Sequence, residues 1–470
     1  EKYDVTSVSK IYPNIKKPRK ETNELGIKYA DISLIYKIEY KEDIDPKKLI
    51  NNFMSTGAFQ YVEPSYIFEP LYIPNDPQID SLYFLEILNM YNAWDVEKGD
   101  TNVIIAISDT GFDIDHPDLV NSVKYNYADP LGNSQDDDGD SYIDNFRGWD
   151  LGDNDNDPSV GGNWHGVYVS SFVGATADNG IQLAGTGFNC KIVPLKIESG
   201  GFLTKGYESI MYAATHGYDI VNCSWGAPNS WSQYGQDVVT YATINENCLV
   251  VASAGNDNSD NLWYPASYDW VLSVGGTNQN NEKWVQSTDV GSTYNDFVDV
   301  MAPSVDLYRV NNGGGPILGS GVGTSFSAPM VSGVAGLIKS KYPSFSAVQI
   351  IEQIKATSTN IDTISFNAPY QKKMGKGIVN AYKALTDLSN PGLVFNDYTV
   401  TNNKGDTLET GDTVYVYGNV INYLQNSTSA TRYKITTESP YIELLDSVYN
   451  LISIPFNSYV NTSSIPLSFI

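Results

Sequence analysis

Four continuous apolar runs, each bounded by polar residues, predict strands that are buried on both faces. They span residues 103–107, 192–197, 220–224 and 249–253. Such strands are typical of a parallel sheet covered by helices on both sides. Helical stretches at about 204–216 and 234–246 lie between the runs. The pattern therefore predicts a doubly wound, mostly parallel α/β domain, with functional side chains at the carboxyl ends of its strands.

A longer apolar segment begins near Ser325, runs to about Lys341 and stops before Pro343, which predicts a helix. Gly321 and Gly323 precede it and permit a tight approach of the chain. A serine at a helix start is usually an N-cap. It also lies in the positive end of the helix dipole, where a nucleophile can be placed.

The pattern changes on both sides of the α/β domain. Residues 32–40 alternate as in a strand, Asp45 and Pro46 predict a helix start, and residues 59–68 predict a second strand. Beyond about residue 390, alternating Thr and Tyr positions with recurring turn residues predict a small β-sandwich. We therefore expect three domains, listed here by their bounds: 1–72, a small α+β domain; 73–390, the α/β domain; and 391–470, the β-sandwich.

The charge of the chain supports a boundary near residue 72. The chain carries 55 acidic and 29 basic residues, a net charge of -26. Residues 1–72 hold 11 of each, so the whole excess lies beyond them. This balance argues against nucleic acid or an anionic membrane as a partner, and no apolar run reaches the length of a membrane span.

The three cysteines are an odd number, which excludes a fully paired disulfide framework. Cys190, Cys223 and Cys248 each lie in or beside an apolar run. We expect all three to be buried thiols.

A nucleophilic Ser325 would need a base to take its proton and an anion to orient that base. The chain has three histidines. His165 precedes a small-residue, helix-like run, whereas His116 lies in a turn-like His-Pro-Asp-Leu and His216 precedes Gly at a helix end. By elimination, His165 is the best candidate for the base.

These residues lie in motifs that resemble those of the subtilisin-like serine proteases, the subtilases. Ser325 lies in Gly-Thr-Ser-Phe-Ser-Ala-Pro, Asp109 in Asp-Thr-Gly and His165 in His-Gly, in the chain order of that family. The resemblance covers about residues 73–390. It implies that Asp109 orients His165, that His165 acts as general base and then acid, and that Ser325 is the nucleophile.

The same resemblance implies the rest of the active site. Asn256, in Ser-Ala-Gly-Asn, would bind the oxyanion together with the Ser325 N–H. The sequence departs from the commoner family motifs at two places: Gly-Val-Tyr follows His165, and Phe-Ser follows Ser325. These departures leave the catalytic rate and the subsite preference open. The implied substrate-binding residues pair with the substrate backbone or line the pocket for the residue before the cleaved bond: Ser224, Trp225, Gly226, Gly255 and Ala266.

The flanking parts also resemble parts of such proteases. Residues 1–72 resemble a propeptide, which chaperones folding and then inhibits the enzyme. The Pro-Asn-Asp-Pro at residues 74–77 is similar to the opening of thermitase-like subtilases. Residues 391–470 resemble the immunoglobulin-like accessory modules of secreted bacterial proteases.

An acidic segment between Asp109 and His165 suggests a calcium loop. Its carboxylates and the Tyr142 carbonyl stand at positions 1, 3, 5, 7 and 9 of a calcium-binding pattern, although Arg147 occupies the place of the final Glu of an EF-hand. The carboxylates are Asp136, Asp138, Asp140 and Asp144. The alternative is a solvated acidic turn.

The family resemblance implies two further calcium sites. One set is Asp150, Asp153 and Asp155, and the other is Asp76, Asp118 and Asn179. Carboxylates packed this closely would repel one another without a cation. Ca²⁺ is therefore the cofactor that we expect.

Together these observations predict a secreted or cell-surface, bacterial, calcium-stabilised serine endopeptidase. Its expected partners are protein or peptide substrates and its own propeptide as inhibitor, and we expect a monomer. The alternative is a catalytically weak adhesion protein that binds through the β-sandwich. The sequence leaves the natural substrate and the preferred residue before the cleaved bond open.

Overall fold

The computed structural model describes residues 5–41, 45–65, 72–311, 321–405, 407–437 and 439–470, and the backbone of 317–318. The chain divides into two compact units, Glu1–Pro70 and Leu71–Ile470. The expected three-domain division stays a prediction.

The first unit contains an antiparallel strand pair and a helix: β1 (Val5–Lys10), β2 (Tyr36–Tyr40) and α1 (Pro46–Met54). Asp45 caps α1 by accepting a hydrogen bond from the Lys47 N–H, and Pro46 is the first helical residue. This helix is as predicted, because a short acceptor followed by proline fixes a helix start.

The strands of the first unit differ from the prediction. Residues 59–65 form no strand, and residues 66–68 of the predicted strand lie outside the described part of the chain. β2 pairs instead with β1, which the sequence did not indicate. β1 and β2 form a two-stranded sheet.

The second unit begins with a mixed α/β region. Its strands are β3 (Ile104–Asp109), β4 (Trp149–Asp150), β5 (Lys191–Lys196), β6 (Glu198–Ser199), β7 (Phe202–Leu203), β8 (Ile220–Cys223), β9 (Ala227–Pro228), β10 (Leu249–Ser253), β11 (Trp263–Tyr264), β12 (Val271–Thr277), β13 (Val300–Pro303), β14 (Tyr308–Arg309) and β15 (Ile317–Leu318). Its helices are α2 (Tyr83–Ile87), α3 (Met90–Val96), α4 (His165–Gly174), α5 (Gly206–Thr215), α6 (Gln233–Thr240), α7 (Thr324–Lys341), α8 (Ala347–Thr357) and α9 (Ala381–Thr386). Short 3-10 turns span Ile79–Ser81 and Ser365–Tyr370, and a π-helical turn spans Tyr241–Asn245.

Seven of the described strands form one parallel sheet in the order β13-β12-β10-β8-β3-β5-β4. All of its neighbouring pairs are parallel. β3 pairs with β5 and β8, so Asp109 lies opposite Lys196 and Ser108 lies opposite Cys223. The carboxyl ends of β3, β8 and β10 therefore lie side by side, as the doubly wound prediction requires.

The side chains of β3 show why its sequence is apolar throughout. Ile105 and Ile107 pack on one face with α4 and α7, whereas Ile104 and Ala106 pack on the other face with α5 and α6. Every residue of the strand is buried. Burial on both faces removes the polar alternation of a half-exposed strand. The predicted α/β fold is confirmed.

α7 crosses the centre of the domain and is buried on nearly all sides. Two glycines permit this close approach. A Cβ at Gly333 would lie 2.1 Å from the Thr186 hydroxyl oxygen, and one at Gly336 would lie 2.9 Å from the Cys190 sulfur. No helix among the described residues is long and apolar enough to cross a membrane.

The chain ends in a β module. Its strands are β16 (Leu393–Asn402), β17 (Val414–Asn422), β18 (Arg432–Lys434), β19 (Val448–Asn450), β20 (Ser458–Asn461) and β21 (Leu467–Phe469). β17 pairs with β16, β20 and β21, and β18 pairs with β19. A separate small core, including Val420, Tyr433 and Ile454, fills the module.

The cysteines are buried and unpaired, as predicted. Burial raises the pKa of all three thiols, to about 12 for Cys190. They are therefore packing residues without thiolate character.

Candidate active site

Asp109 and His165 are joined by a hydrogen bond at the carboxyl end of β3. The distance from the His165 Nδ1 to the Asp109 Oδ1 is 2.8 Å. Asp109 is 1% exposed, whereas the His165 side chain is 31% exposed. His165 is the first residue of α4. The buried carboxylate can thus hold one ring nitrogen while the rest of the imidazole faces the surface.

Small residues set the approach of α4 to β3. A Cβ at Gly166 would lie 2.4 Å from the Gly111 carbonyl oxygen, so only glycine fits after the histidine. The Thr110 hydroxyl donates to the Asn163 carbonyl at 2.7 Å and accepts from the Gly166 N–H at 3.1 Å. These contacts tie the Asp-Thr-Gly turn to the start of α4 and fix the distance between the carboxylate and the imidazole.

The surroundings of His165 act on its pKa in both directions. Burial lowers the pKa of the imidazole, but the charge and the hydrogen bond of Asp109 outweigh burial and raise it above its ordinary value. The charge of Arg309 opposes this rise. His165 is therefore a stronger base than a free histidine, and it loses its proton at a higher pH.

Ser325 lies in the first turn of α7 and exchanges hydrogen bonds with Ser224. The Ser325 hydroxyl donates to the Ser224 carbonyl at 3.3 Å, and the Ser224 hydroxyl donates to the Ser325 carbonyl at 2.9 Å. Pro329 has no N–H to reach the Ser325 carbonyl four residues earlier, which leaves that oxygen free to accept. The proline inside α7 thus allows its first turn to be joined to the end of β8.

Ser325 and His165 lie on neighbouring helices, but no hydrogen bond joins the two side chains among the described residues. The ring of Phe326 stacks on the imidazole, with the two centroids 6.3 Å apart. Catalytic hydrogen bonds are often long or misaligned without substrate and tighten in the complex. A rotation of the serine hydroxyl away from Ser224 would make it available to His165.

Asn256 is held in one orientation by Thr324. Its Oδ1 accepts from the Thr324 N–H and from the Thr324 hydroxyl, both at 2.9 Å. The Nδ2 is therefore left as a donor. Among the described residues no acceptor takes the Ser325 N–H, so two donors remain available beside the serine. The role of Thr324 was missed, because nothing in the sequence connects it with a residue 68 positions earlier.

The predicted substrate-binding segment lies next to these donors. Ser224 contacts Ser325 directly, and the Trp225 indole N–H donates to the Ser108 hydroxyl at 2.9 Å. β9 pairs with β11 and so connects the segment to the buried Ala266. A Cβ at Gly255 would lie 2.6 Å from the Trp263 ring. A cavity of about 300 Å³ adjoins Trp225 and Gly226 and can receive a substrate side chain.

Residues 100–392 match the model of the subtilase family. The chain belongs to the subtilase family. The predicted resemblance is thereby confirmed, and the chain is a serine endopeptidase, a hydrolase of peptide bonds.

Individual relatives agree with this assignment. This subtilase is 32% identical over 344 residues to the thermophilic serine proteinase of Bacillus sp. strain AK1, covering 72% of this chain and 75% of that protein. It is 33% identical over 318 residues to thermitase of Thermoactinomyces vulgaris, covering 67% and 99%. Among solved structures it is similar to a protease from Pseudoalteromonas arctica PAMC 21717, with a TM-score of 0.56 and 25% identity, covering 67% of this chain and 99% of that one.

The first acidic loop of the subtilase brings three carboxylates together. Ligand atoms of Asp136, Asp138 and Asp140 all lie within 4.8 Å of one another. The fourth predicted ligand, Asp144, is 5% exposed, and its Oδ1 is buried without a partner. These donors are all oxygens, which suits Ca²⁺.

His216 makes a contact with this loop that sequence reasoning missed. Its Nε2 lies 2.8 Å from the Asp140 Oδ2, and its Nδ1 lies 2.7 Å from the Tyr212 carbonyl. The predicted helix-end position is correct, but a partner 76 residues away carries no local signal. His116 lies buried in its turn and accepts from the Asp118 N–H at 3.1 Å.

The set of Asp76, Asp118 and Asn179 forms a second buried acidic site. Asp118 accepts from the Asn179 side chain at 2.9 Å, and Asp76 accepts from the Asn179 N–H at 3.3 Å. Asp76 and Asp118 are 1% and 0% exposed. Burial, with a contribution from the charge of Asp76, raises the pKa of Asp118 to about 7. No basic side chain among the described residues pairs with either carboxylate, so a bound cation fits this site.

The third set differs because a lysine lies among its carboxylates. The Lys196 ammonium donates to the Asp150 Oδ2 at 2.6 Å and lies 3.8 Å from the Asp153 Oδ2. Burial lowers the pKa of Lys196, but its hydrogen bond to Asp150 and the neighbouring charges outweigh burial and raise it. The Asp155 carboxylate accepts from the Asp157 N–H. Lys196 already neutralises Asp150, so these residues do not fit a calcium ion in this arrangement.

Proposed function

We propose that Asp109, His165 and Ser325 are the catalytic triad of this serine endopeptidase and that Asn256 binds the oxyanion. One observation carries the proposal: the 2.8 Å hydrogen bond between Asp109 and His165 lies beside the first turn of α7, which carries Ser325. The bond from Thr324 to Asn256 supports the second part, because it leaves the amide N–H groups free to donate.

The mechanism follows from these positions. The Ser325 oxygen attacks the substrate carbonyl carbon while the His165 Nε2 takes the hydroxyl proton. Asp109 keeps Nδ1 protonated and stabilises the imidazolium. The negative oxygen of the tetrahedral intermediate accepts from Asn256 and the Ser325 N–H. His165 then protonates the leaving amine, and water releases the acyl group by the reverse sequence.

A fluorophosphonate probe tests the nucleophile. The probe should label Ser325, identified by tandem mass spectrometry, and labelling should stop in Ser325→Ala and fall strongly in His165→Ala. The matched control is Ser327→Ala, since Ser327 is fully buried in the next part of the same helix. Labelling of Ser327, or of another serine, in the active protein would refute the assignment.

We also propose that calcium stabilises the catalytic domain. Converging carboxylate oxygens support the site in the Asp136 loop. The Asp76–Asp118 site is supported by two buried carboxylates that no basic side chain of the described residues contacts. Bound Ca²⁺ would neutralise these charges and connect their loops. Such sites in extracellular modules have Kd values of roughly 10⁻⁴–10⁻³ M. We infer that this protein is secreted, because its relatives include an extracellular serine protease, Nep of Natrialba magadii.

For residues 1–72 we propose the role of a removable propeptide. Among the described residues of this unit, Leu49 is the buried apolar side chain, whereas Leu25, Ile27 and Leu34 are 84%, 62% and 68% exposed. A unit with so small a core gains stability from a partner surface. The active protein should cut itself between about residues 64 and 74, whereas Ser325→Ala should keep its original N-terminus. An active enzyme with an uncut chain would refute this role.

A further inference from the structure

Arg309 is a buried cation beside the catalytic helices. It lies in β14 and is 8% exposed. The centre of its guanidinium is 4.1 Å from the ring centroid of Tyr168 and 5.8 Å from that of Phe326. Tyr168 lies one turn after His165 in α4, and Phe326 directly follows Ser325. The guanidinium is therefore packed against both helices that carry the reacting side chains.

The charge of Arg309 has no partner of opposite sign among the described residues. Its Nε and Nη1 are buried and form no hydrogen bond there. Lys283, the other buried cation of the described residues, donates to the Asn258 Oδ1 and lies over two aromatic rings. The partly buried Lys196 and Lys355 contact Asp150 and Glu352. Arg309, by contrast, has only aromatic side-chain contacts in the described part of the chain. The faces of aromatic rings offset only part of the cost of burying a guanidinium. An acceptor from outside the chain would complete the site.

The contacts of Arg309 lie on one side of the nucleophile. They are made with Tyr168, Phe326 and Gly321, where an added Cβ would lie 2.8 Å from the Arg309 Nη1. The Phe326 ring also stacks on the His165 imidazole, so these contacts lie on the His165 side of the nucleophile. Because the histidine of such a site protonates the leaving amine, we place Arg309 toward the leaving half of the substrate.

We propose that Arg309 forms a subsite for a carboxylate on the leaving-group side of the cleaved bond. This inference rests on the proposed triad. A guanidinium binds a carboxylate through directed, charge-assisted hydrogen bonds, and it does so best where water is excluded. The carboxylate is either the side chain of Asp or Glu after the cleaved bond or the carboxyl terminus of the substrate.

Acyl transfer to added amines measures binding on the leaving-group side separately from binding of the acyl group. A neutral ester forms the acyl-enzyme on Ser325, and an added amine attacks its carbonyl carbon. The new C–N bond forms, the bond to the serine oxygen breaks, and His165 passes the amine proton to that oxygen. This step is the reverse of peptide-bond cleavage, so the choice between amines reports the leaving-group subsite independently of the acyl group.

The experiment compares three amines: glutamate α-amide, its neutral isostere glutamine α-amide, and glutamine with a free α-carboxylate. We expect the enzyme, expressed as the whole chain and allowed to mature, to prefer one of the two carboxylates over glutamine α-amide by about tenfold, as for a charge-assisted hydrogen bond. The preferred amine identifies the source of the carboxylate. Product ratios are measured by chromatography and do not depend on the active fraction of a variant.

Two variants and a matched control decide the outcome. The measured ratio is that of the product formed with the preferred carboxylate to the product formed with glutamine α-amide. It should fall to about one in Arg309→Gln and be intermediate in Arg309→Lys, which keeps the charge without the planar guanidinium. Arg432→Gln removes the same charge from the exposed strand β18 and should keep the ratio. A wild-type ratio near one, or an unchanged ratio in Arg309→Gln, would overturn the inference. Absence of ester turnover by the wild type would instead refute the proposed triad.

Discussion

The candidate catalytic centre and the acidic loops are both polar, but their side chains are held in different ways. In the catalytic centre, hydrogen bonds between side chains and nearby backbone position the groups at strand ends and helix starts. Thr110 ties the Asp109 turn to α4, and Thr324 fixes Asn256. In the loops, two carboxylates are paired by side chains from elsewhere, His216 with Asp140 and Lys196 with Asp150.

This difference reflects what each region must do. A transition state needs donors that are fixed before the reaction, so catalytic residues stand in short motifs next to rigid elements. The charge balance of a loop can be met by an ion, a histidine or a lysine, and these solutions look alike in the local sequence. Substitutions in the catalytic centre should therefore lower the rate of catalysis, whereas substitutions in the acidic loops should lower the free energy of unfolding.

The largest expected effect is on rate. Ser325→Ala should lower kcat by about six orders of magnitude, as for removal of a nucleophile that works as a unit with its base. The variant should still fold, with a cooperative melting transition of its α/β domain. His165→Ala should lower kcat nearly as much, and the double variant with both substitutions should lower it little further. An activity of one tenth of wild type in Ser325→Ala would contradict the assignment.

The next effect tests Asn256 as the donor to the oxyanion. Asn256→Ala should lower kcat by about 10²–10³ with little change in KM, because its contact forms only in the transition state. Thr324→Val removes the hydroxyl that orients Asn256 and should also lower kcat, but less. Steady-state kinetics on one peptide substrate separates these effects. A change in KM alone would make Asn256 a substrate-binding residue.

The third effect separates the loops from the catalytic centre. In a Ser325→Ala background, Lys196→Met leaves Asp150 buried without its partner and should lower the free energy of unfolding in EDTA by about 3 kcal/mol. Millimolar Ca²⁺ should recover much of this loss, since the vacated position offers carboxylate oxygens. Lys205→Met, which breaks an exposed pair with Glu208, is the control and should cost at most about 0.5 kcal/mol. Equal losses in the two variants would contradict the pairing.

The smallest effect concerns calcium in the unmodified loops. At a hundredfold excess over Kd, Ca²⁺ should stabilise the Ser325→Ala protein by about 2.7 kcal/mol, seen as a melting temperature several degrees above that in EDTA. Mg²⁺ should restore little, because it gives up its water reluctantly. Identical melting curves in EDTA and Ca²⁺ would show that the loops are solvated turns.

The pH dependence assigns part of this effect to Asp118. Burial raises its pKa in the folded state to about 7, above the value of an unfolded aspartate. The folded state therefore holds a proton that the unfolded state has lost, and stability in EDTA should fall as pH rises from about 4 to about 7. Calcium, which binds the ionised form, should stabilise most at the upper end. Asp118→Asn should reduce both dependences, and a pH response unchanged in this variant would exclude Asp118 as its source.

The sequence predicted the parts of the fold that long apolar runs specify. The strands around Ile105 and Val251 were found because burial on both faces removes polar positions. β12 and β13 were not predicted; β12 includes Gly275 and Gly276, and β13 ends in Pro303. In the site, Asp109, His165 and Ser325 stood in recognisable motifs. Arg309 did not, because its position depends on the packing of three separate elements.

Trapping the acyl-enzyme tests the central claim most directly. A slowly deacylating aromatic ester is mixed with the enzyme, the reaction is quenched in acid, and the adduct is located by mass spectrometry of peptides. The account predicts one acyl group per active molecule, bound to the Ser325 oxygen, and no adduct in Ser325→Ala. An enzyme that turns over the ester without acylating Ser325, or an adduct on another side chain, would contradict it.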